Sequence, residues 1–322
     1  MYAIGRIAVF GFLIFCWGLV ASAGASPVAP FGSFGPAAAG TLSGLYNLNY
    51  ENGTITVFQI VGGVTTVVSH FRASTSGSRG LAVDHQGRIY TTVTPQNSKP
   101  CSACIEVFGE KGDLLARIQA PILPGAPGAP NLDNLSLDAQ GNIYVSDYGQ
   151  QAVYFYSPSG NTWTGPTIVV QNSTNAASVA VEPDGDVVFV SGGCGFASVR
   201  PYVRTQSGYQ PGACFSIGTI ALIGGAASDG GAVFTPVDGA GSFVSVSSEA
   251  GGGTGFTIPD PHGQIGGIAL ATGGAIAYVG DHHGEKLYAY ARPPKGWLSG
   301  VAPKLLTSYV GFQGLDVIAI RP

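Results

Sequence analysis

"NLSLDAQGNIYVSDYGQQAVYFYSPSG", residues 134–160, decides the fold. An apolar run meets Asp138-Ala139-Gln140-Gly141, a second run meets Asp147, and a third, rich in aromatics, meets Pro158-Ser159-Gly160. Short β-branched and aromatic runs bounded by Gly, Asp, Asn and Ser mark strands joined by tight turns. Asp-x-x-Gly suits a hairpin, because the Asp side chain accepts backbone N–H groups and the Gly takes positive φ. A further apolar run, "PTIVVQ" (166–171), supplies a fourth strand.

The unit repeats along the chain. "GLAVDHQGRIYTTV" (80–93), "NLSLDAQGNIYVSD" (134–147), "SVAVEPDGDVVFVS" (178–191), "GAASDGGAVFTPVD" (225–238) and "GIALATGGAIAYVG" (267–280) align on the first turn, with Asp84, Asp138, Glu182, Asp229 and Ala271 in register. Four strands roughly every 45 residues is the period of propeller blades. At the N-terminus, "YNLNYENGTITVF" (46–58) matches "YVSDYGQQAVYFY" (144–156) but has no first strand before it. At the C-terminus, "GLDVI" (314–318) matches "GLAVD" (80–84) but has no second strand after it. One blade is therefore split, and the last strand joins the first blade and closes the ring. The expected fold is all-β: a six-bladed β-propeller of four-stranded blades.

On these motifs the chain resembles the NHL-repeat propellers and, more loosely, the gluconolactonase/senescence-marker-protein group, over about residues 41–322. The repeated carboxylates Asp84, Asp138, Glu182 and Asp229 read as turn chemistry rather than catalysis. Asp147, aligned with Asn49 and Asp281, lies in the turn between second and third strands, where it caps its own turn. Tyr144, Tyr154, Phe155 and Tyr156 read as packing between blades.

The beginning of the chain carries an address. Arg6, the apolar run "IAVFGFLIFCWGLV" (7–20) and the small residues around Ala21–Ala25 have the pattern of a cleaved signal peptide over 1–25. Residues 26–40 are a Pro/Gly/Ala-rich leader, and 41–322 form the propeller domain. The expected location is secreted, periplasmic or extracellular. The net charge is −4, and losing Arg6 makes it more negative, so neither nucleic acid nor an anionic membrane is an expected partner once the signal is cleaved. A monomer is expected. Removal of Cys16 with the signal leaves Cys101, Cys104, Cys194 and Cys214, an even number that in an exported chain argues for disulfides, Cys101–Cys104 and Cys194–Cys214.

Function is sought on the face that carries the second-to-third-strand turns, the crossovers between blades and the channel mouth, where ligands of closed β architectures collect. The crossover "PILPGAPGAPNLDN" (121–134) delivers Asn131, Asp133 and Asn134 to an inner strand, with Arg79 beside the start of another. The gluconolactonase resemblance implies a channel cation held by carboxylate and Asn side chains, for which Asp133, Asn134 and Asn175 are the matching positions. The departure is that Gly80, Gly225, Gly267 and Gly314 begin the other inner strands and offer no ligand. A second group, Asp260, His262, Asp281, His282 and His283, shares one sector and combines imidazole with carboxylate, a candidate metal set. No cofactor is expected, and any affinity for a divalent cation is expected to trace to His262, His282 and His283. The favoured reading is a secreted binding or scaffold module that recognises a small molecule, glycan or protein at the mouth. The alternative is a metal-dependent hydrolase or lactonase. No catalytic residue is assigned, and the balance lies against an enzyme.

Overall fold

In a computed structural model, the described residues are 42–62, 64–73, 78–94, 101–195, 197–217, 225–227, 231–237, 243–260, 262–271, 274–312 and 315–321. Residues 1–40, read from sequence as a signal peptide and leader, lie outside them, as do Asp229 and Gly314. Six antiparallel sheets of four ordered strands follow one another along the chain. The second blade comprises Leu81–Val83, Ile89–Val93, Cys104–Phe108 and Leu114–Gln119. The third comprises Leu132–Leu137, Ile143–Asp147, Ala152–Ser159 and Thr162–Val170. The fourth, Val179–Val181, Val187–Ser191, Ser198–Thr205 and Gly208–Pro211, gains the short piece Phe215–Ser216 on its third strand. The fifth comprises Gly225–Ala227, Ala232–Val237, Phe243–Ser247 and Gly253–Thr257, and the sixth Ile265–Leu270, Ile276–Asp281, Lys286–Ala291 and Lys304–Val310.

The first blade is the split one. Its inner strand is Val317–Ile320. That strand pairs antiparallel with Leu42–Leu48, with Leu45 opposite Ile320 and Tyr46 opposite Ala319. Thr54–Val61 and Val64–Arg72 complete the sheet. The ring is thus closed by chain ends that are more than 250 residues apart in sequence, which leaves no unpaired inner edge at the seam.

The core lies between blades. Tyr154 and Tyr156 of the third blade pack with Tyr90, Ile105 and Val107 of the second. Tyr144 packs with Val179, Val188 and Tyr202 of the fourth, and its hydroxyl lies 3.0 Å from that of Tyr209. The aromatic strand residues are inter-blade packing, as expected. The glycines that open inner strands have a physical reason. A Cβ on Gly80 would lie 3.1 Å from the backbone nitrogen of Leu135, and one on Gly267 would lie 2.9 Å from that of Ile318. Neighbouring inner strands approach without side-chain spacers, so these positions serve packing and give the axis no ligand.

Both disulfides are formed. Cys101–Cys104, with Cα atoms 6.1 Å apart, clips the end of the turn between strands two and three of the second blade. Cys194–Cys214, at 6.3 Å, ties the equivalent turn of the fourth blade to the segment after its outer strand, not to that strand itself. Two disulfides fit an oxidising environment.

Candidate functional site

The two faces of the disc differ in chemistry. On the face of the first-to-second-strand turns, Asp84 and Asp138 cap their hairpins. Asp84 Oδ1 accepts the backbone N–H groups of Gln86 and Arg88, both at 2.9 Å, and its Oδ2 takes the Tyr90 hydroxyl at 2.8 Å and the Arg88 guanidinium at 2.6 Å. Asp138 does the same with Gln140, Asn142 and Tyr144. Gly87, Gly141 and Gly185 supply the positive φ that closes each turn, at 77°, 77° and 76°. Every polar atom of Asp84 and Asp138 serves its own blade.

On the opposite face, a polar arc runs along the channel mouth from the sixth blade to the fourth. Asp316, just before the closing strand, pairs through Oδ1 with His282 Nδ1 at 2.8 Å and accepts the Tyr50 backbone N–H on Oδ2 at 3.1 Å. The Arg79 guanidinium lies over the Tyr50 ring, 5.4 Å from its centroid, and its Nη1 is 3.5 Å from Asp133 Oδ2. Thr92 Oγ1 donates to the Asp133 carbonyl at 2.7 Å. Asn134 then links three blades: its Nδ2 donates to the Arg79 carbonyl at 3.2 Å and its Oδ1 accepts from Val179 N–H at 3.3 Å.

The electrostatics follow from the pairing. Burial pushes the Asp133 carboxyl up, with Arg79 opposing that rise. Burial disfavours the charge on Arg79, but Asp133 and the Tyr50 hydroxyl outweigh it and hold the guanidinium above its ordinary value. Pairing with Asp316 holds His282 above the usual imidazole range, against partial burial, with Glu51 and Asp281 adding to the same side. Arg79 keeps 45% of its side chain exposed while Asp133 keeps 11%, so the cation faces outward over a carboxylate that fixes it.

Beside the arc, the Pro-rich crossover is pinned from below. Gln150, 1% exposed, donates from Nε2 to the Pro121 carbonyl at 2.7 Å and to Asp147 Oδ2 at 2.9 Å, and accepts from Leu123 N–H on Oε1 at 2.6 Å. Asp147 is completed by Asn131 N–H and Gln150 N–H, each at 2.9 Å, and by the Tyr154 hydroxyl at 3.0 Å. Ile122 is thereby presented to solvent at 83% exposure. Tyr148, bonded through its N–H to the Asn131 carbonyl, is also exposed, as is Tyr50.

The residues flagged from sequence fall into three groups. Arg79, Asp133 and Asn134 come together. Asn131 contributes backbone groups, and Asn175 sits at φ 60° in a tight crossover turn, a conformation Asn tolerates well. Asp260, His262, Asp281, His282 and His283 share their sector, with the His282 and His283 rings 5.4 Å apart, yet His282 turns to Asp316. Among the described residues no three His, Cys, Asp or Glu side chains gather as metal ligands. Tyr50 and Asp316 were not flagged. The alignment of 46–58 on 144–156 held the signal for Tyr50, because it pairs Tyr50 with Tyr148 one residue after the turn Asn49 or Asp147.

No protein-family model matches the chain, and no curated protein matches it by sequence. Solved structures do match. A chain of a nidogen/laminin complex shares 14% identity at a TM-score of 0.58, covering 87% of this chain and 98% of its own. A proposed 6-phosphogluconolactonase from Bacteroides fragilis NCTC 9343 shares 12% at 0.55, covering 86% and 97%. Virginiamycin B lyase from Staphylococcus aureus shares 14% at 0.51, covering 84% and 85%. At these identities the likeness is one of fold alone: this chain is a six-bladed β-propeller.

Proposed function

We propose that this protein is an exported binding module whose channel-mouth face recognises a protein partner, most simply an exposed segment of it. The supporting observation is the composition of that face. Arg79 and Tyr50 are exposed in contact with each other beside Asp133, and Tyr148 and Ile122 are exposed on the neighbouring turn and crossover, the turn bonded to Asn131. Tyrosine and arginine held rigidly beside an apolar side chain is the composition of interface hot spots. Arg79 is preorganised by the Tyr50 ring and Asp133, and the Gln150 clamp fixes the backbone on either side of Ile122, so less freedom is lost on binding. The fold-level likeness to a chain of a nidogen/laminin complex is in keeping with this reading.

The hydrolase reading is the weaker one for a chemical reason. The Asp133 carboxylate is paired with Arg79, and both ends of the Asn134 amide are bonded to backbone groups of neighbouring blades. The test is to pan a peptide library on the wild-type domain with counter-selection on the variant Tyr50→Ala/Arg79→Ala/Ile122→Ser/Tyr148→Ala, with a glycan array and a gluconolactone assay alongside. Peptides retained by wild type alone support the proposal. Glycan binding or lactone hydrolysis lost in Asp133→Asn, with no selected peptide, overturns it.

A further inference from the structure

One device is built twice on the mouth face. Ala319 opposes Tyr46 in the first blade as Ser136 opposes Tyr144 in the third, so Asp316 and Asp133, each three residues earlier, hold corresponding places. Each carboxylate holds a cation supplied by the blade before it. Asp133 Oδ2 lies 3.5 Å from Nη1 of Arg79, at the entry to the second blade, and Asp316 Oδ1 lies 2.8 Å from Nδ1 of His282, in the sixth. In both pairs the cation is the outer member. Side-chain exposure is 45% for Arg79 and 38% for His282, against 11% for Asp133 and 17% for Asp316.

Tyr50 joins the two pairs. Its N–H donates to Asp316 Oδ2 at 3.1 Å, and its ring lies under the Arg79 guanidinium, so one exposed aromatic residue touches both. Arg79 has donors to spare: a guanidinium carries five N–H groups, and among the described residues Asp133 and the Tyr50 hydroxyl draw on them. The imidazole of His282 is held above its ordinary range by Asp316 first, then by Glu51 on the turn beside Tyr50 and by Asp281 on its own turn. The His283 ring lies 5.4 Å from it, and Lys286 is drawn to Asp260 instead, at 3.8 Å.

We propose that Arg79 and His282, bridged by Tyr50, bind the Asp or Glu side chains of an acidic segment of the partner. This rests on the reading of the mouth as a protein-binding face and names the chemistry that the partner brings. A carboxylate arriving from solvent meets the two cations before it meets the more buried carboxylates that fix them. Its hydrogen bonds to a guanidinium fork and to an imidazolium are charge-assisted, and both donors are already held in place. Two separate cations call for two carboxylates, which a run of Asp or Glu supplies and a single chain terminus does not. The imidazolium exists only below the folded pKa of His282, so binding is strongest in mildly acid solution and weakens as pH rises through that value.

The probe is an array of random peptides with amidated C-termini, beside the same array with free C-termini, read at about pH 6 and about pH 8.5, either side of the ordinary imidazole value. Wild type should retain peptides rich in Asp and Glu from both arrays. Their affinity should fall about fivefold at the higher pH, the upper end for an exposed ion pair. His282→Gln should remove the pH dependence and keep the acidic preference, Arg79→Gln should lose most of that preference, and Arg79→Lys should restore it only in part, because an ammonium lacks the fork. Circular dichroism checks that each variant is folded, and should His282→Gln fail, the Arg79 pair carries the test. Retained peptides without acidic enrichment, or a pH dependence that survives in His282→Gln, overturn this inference and leave the protein-binding reading standing. Enrichment confined to free C-termini points to a terminal carboxylate and also overturns it. No retained peptide at either pH overturns both.

Discussion

Replacing Gln150 with Leu tests whether one amide holds the 121–134 crossover over the mouth. The two side chains are of similar size, so packing changes little and the polar contacts are what is lost. Leu removes the acceptor for Leu123 N–H, the donor for the Pro121 carbonyl and one of the two side-chain donors to Asp147 Oδ2. Each orphaned buried group costs about 1–3 kcal/mol. The crossover is exposed on its outer side, where Ile122 is 83% accessible, so Pro121 and Leu123 can turn partly to water, while Asp147, at 0%, cannot. The sum is roughly 3–5 kcal/mol. For a domain of this size that lowers Tm by about 6–10 °C. Scanning calorimetry reads the global loss, and limited proteolysis should find new cleavage within 121–131. A Tm within about 1 °C of wild type, with no new cleavage, would refute the clamp.

A chain ending at residue 312 should be aggregation-prone, because it loses Leu315, Ile318 and Ile320 from the seam, aliphatics worth roughly 1.5–3 kcal/mol each, and exposes the edge of Leu42–Leu48; light scattering reads this, and a stable monomer would contradict ring closure. Cys194→Ser/Cys214→Ser should cost about 3 kcal/mol in the chain-entropy model for a loop of 20 residues, and non-reducing mass spectrometry of wild type should find none of the four cysteines free. His282 adds a pH dependence. Its folded pKa is raised by Asp316, so its contribution to stability is complete below about pH 6.5 and fades as pH rises through the folded value. Melting temperatures from pH 6 to 8 should fall more steeply in wild type than in His282→Gln, and parallel curves would remove His282 from the seam.

The fold was legible because propeller blades announce themselves twice, through turn chemistry and through period. Asp84 and Asp138 do locally what Asp-x-x-Gly implies, and the unmatched half-blades at the two ends have no other way to be completed than by each other. The cysteine pairs followed from the same register. The site was legible only in pieces. Arg79, Asp133 and Asn134 lie at the starts of inner strands, where register predicts proximity. Tyr50 and Asp316 join them through a backbone N–H and a ring face across the seam, contacts that leave no spacing to read.

Recognition through the mouth face is tested most directly by site-specific photo-crosslinking in cells that make the protein. A photoreactive residue at Ile122 reports the mouth face, and one at Gln140, in an exposed turn of the same blade, reports the opposite face. The prediction is a discrete protein adduct from position 122, absent from position 140 and lost when Tyr50→Ala and Arg79→Ala are added. Adducts equal from both positions, or an adduct at 122 that survives those two substitutions, would contradict the account.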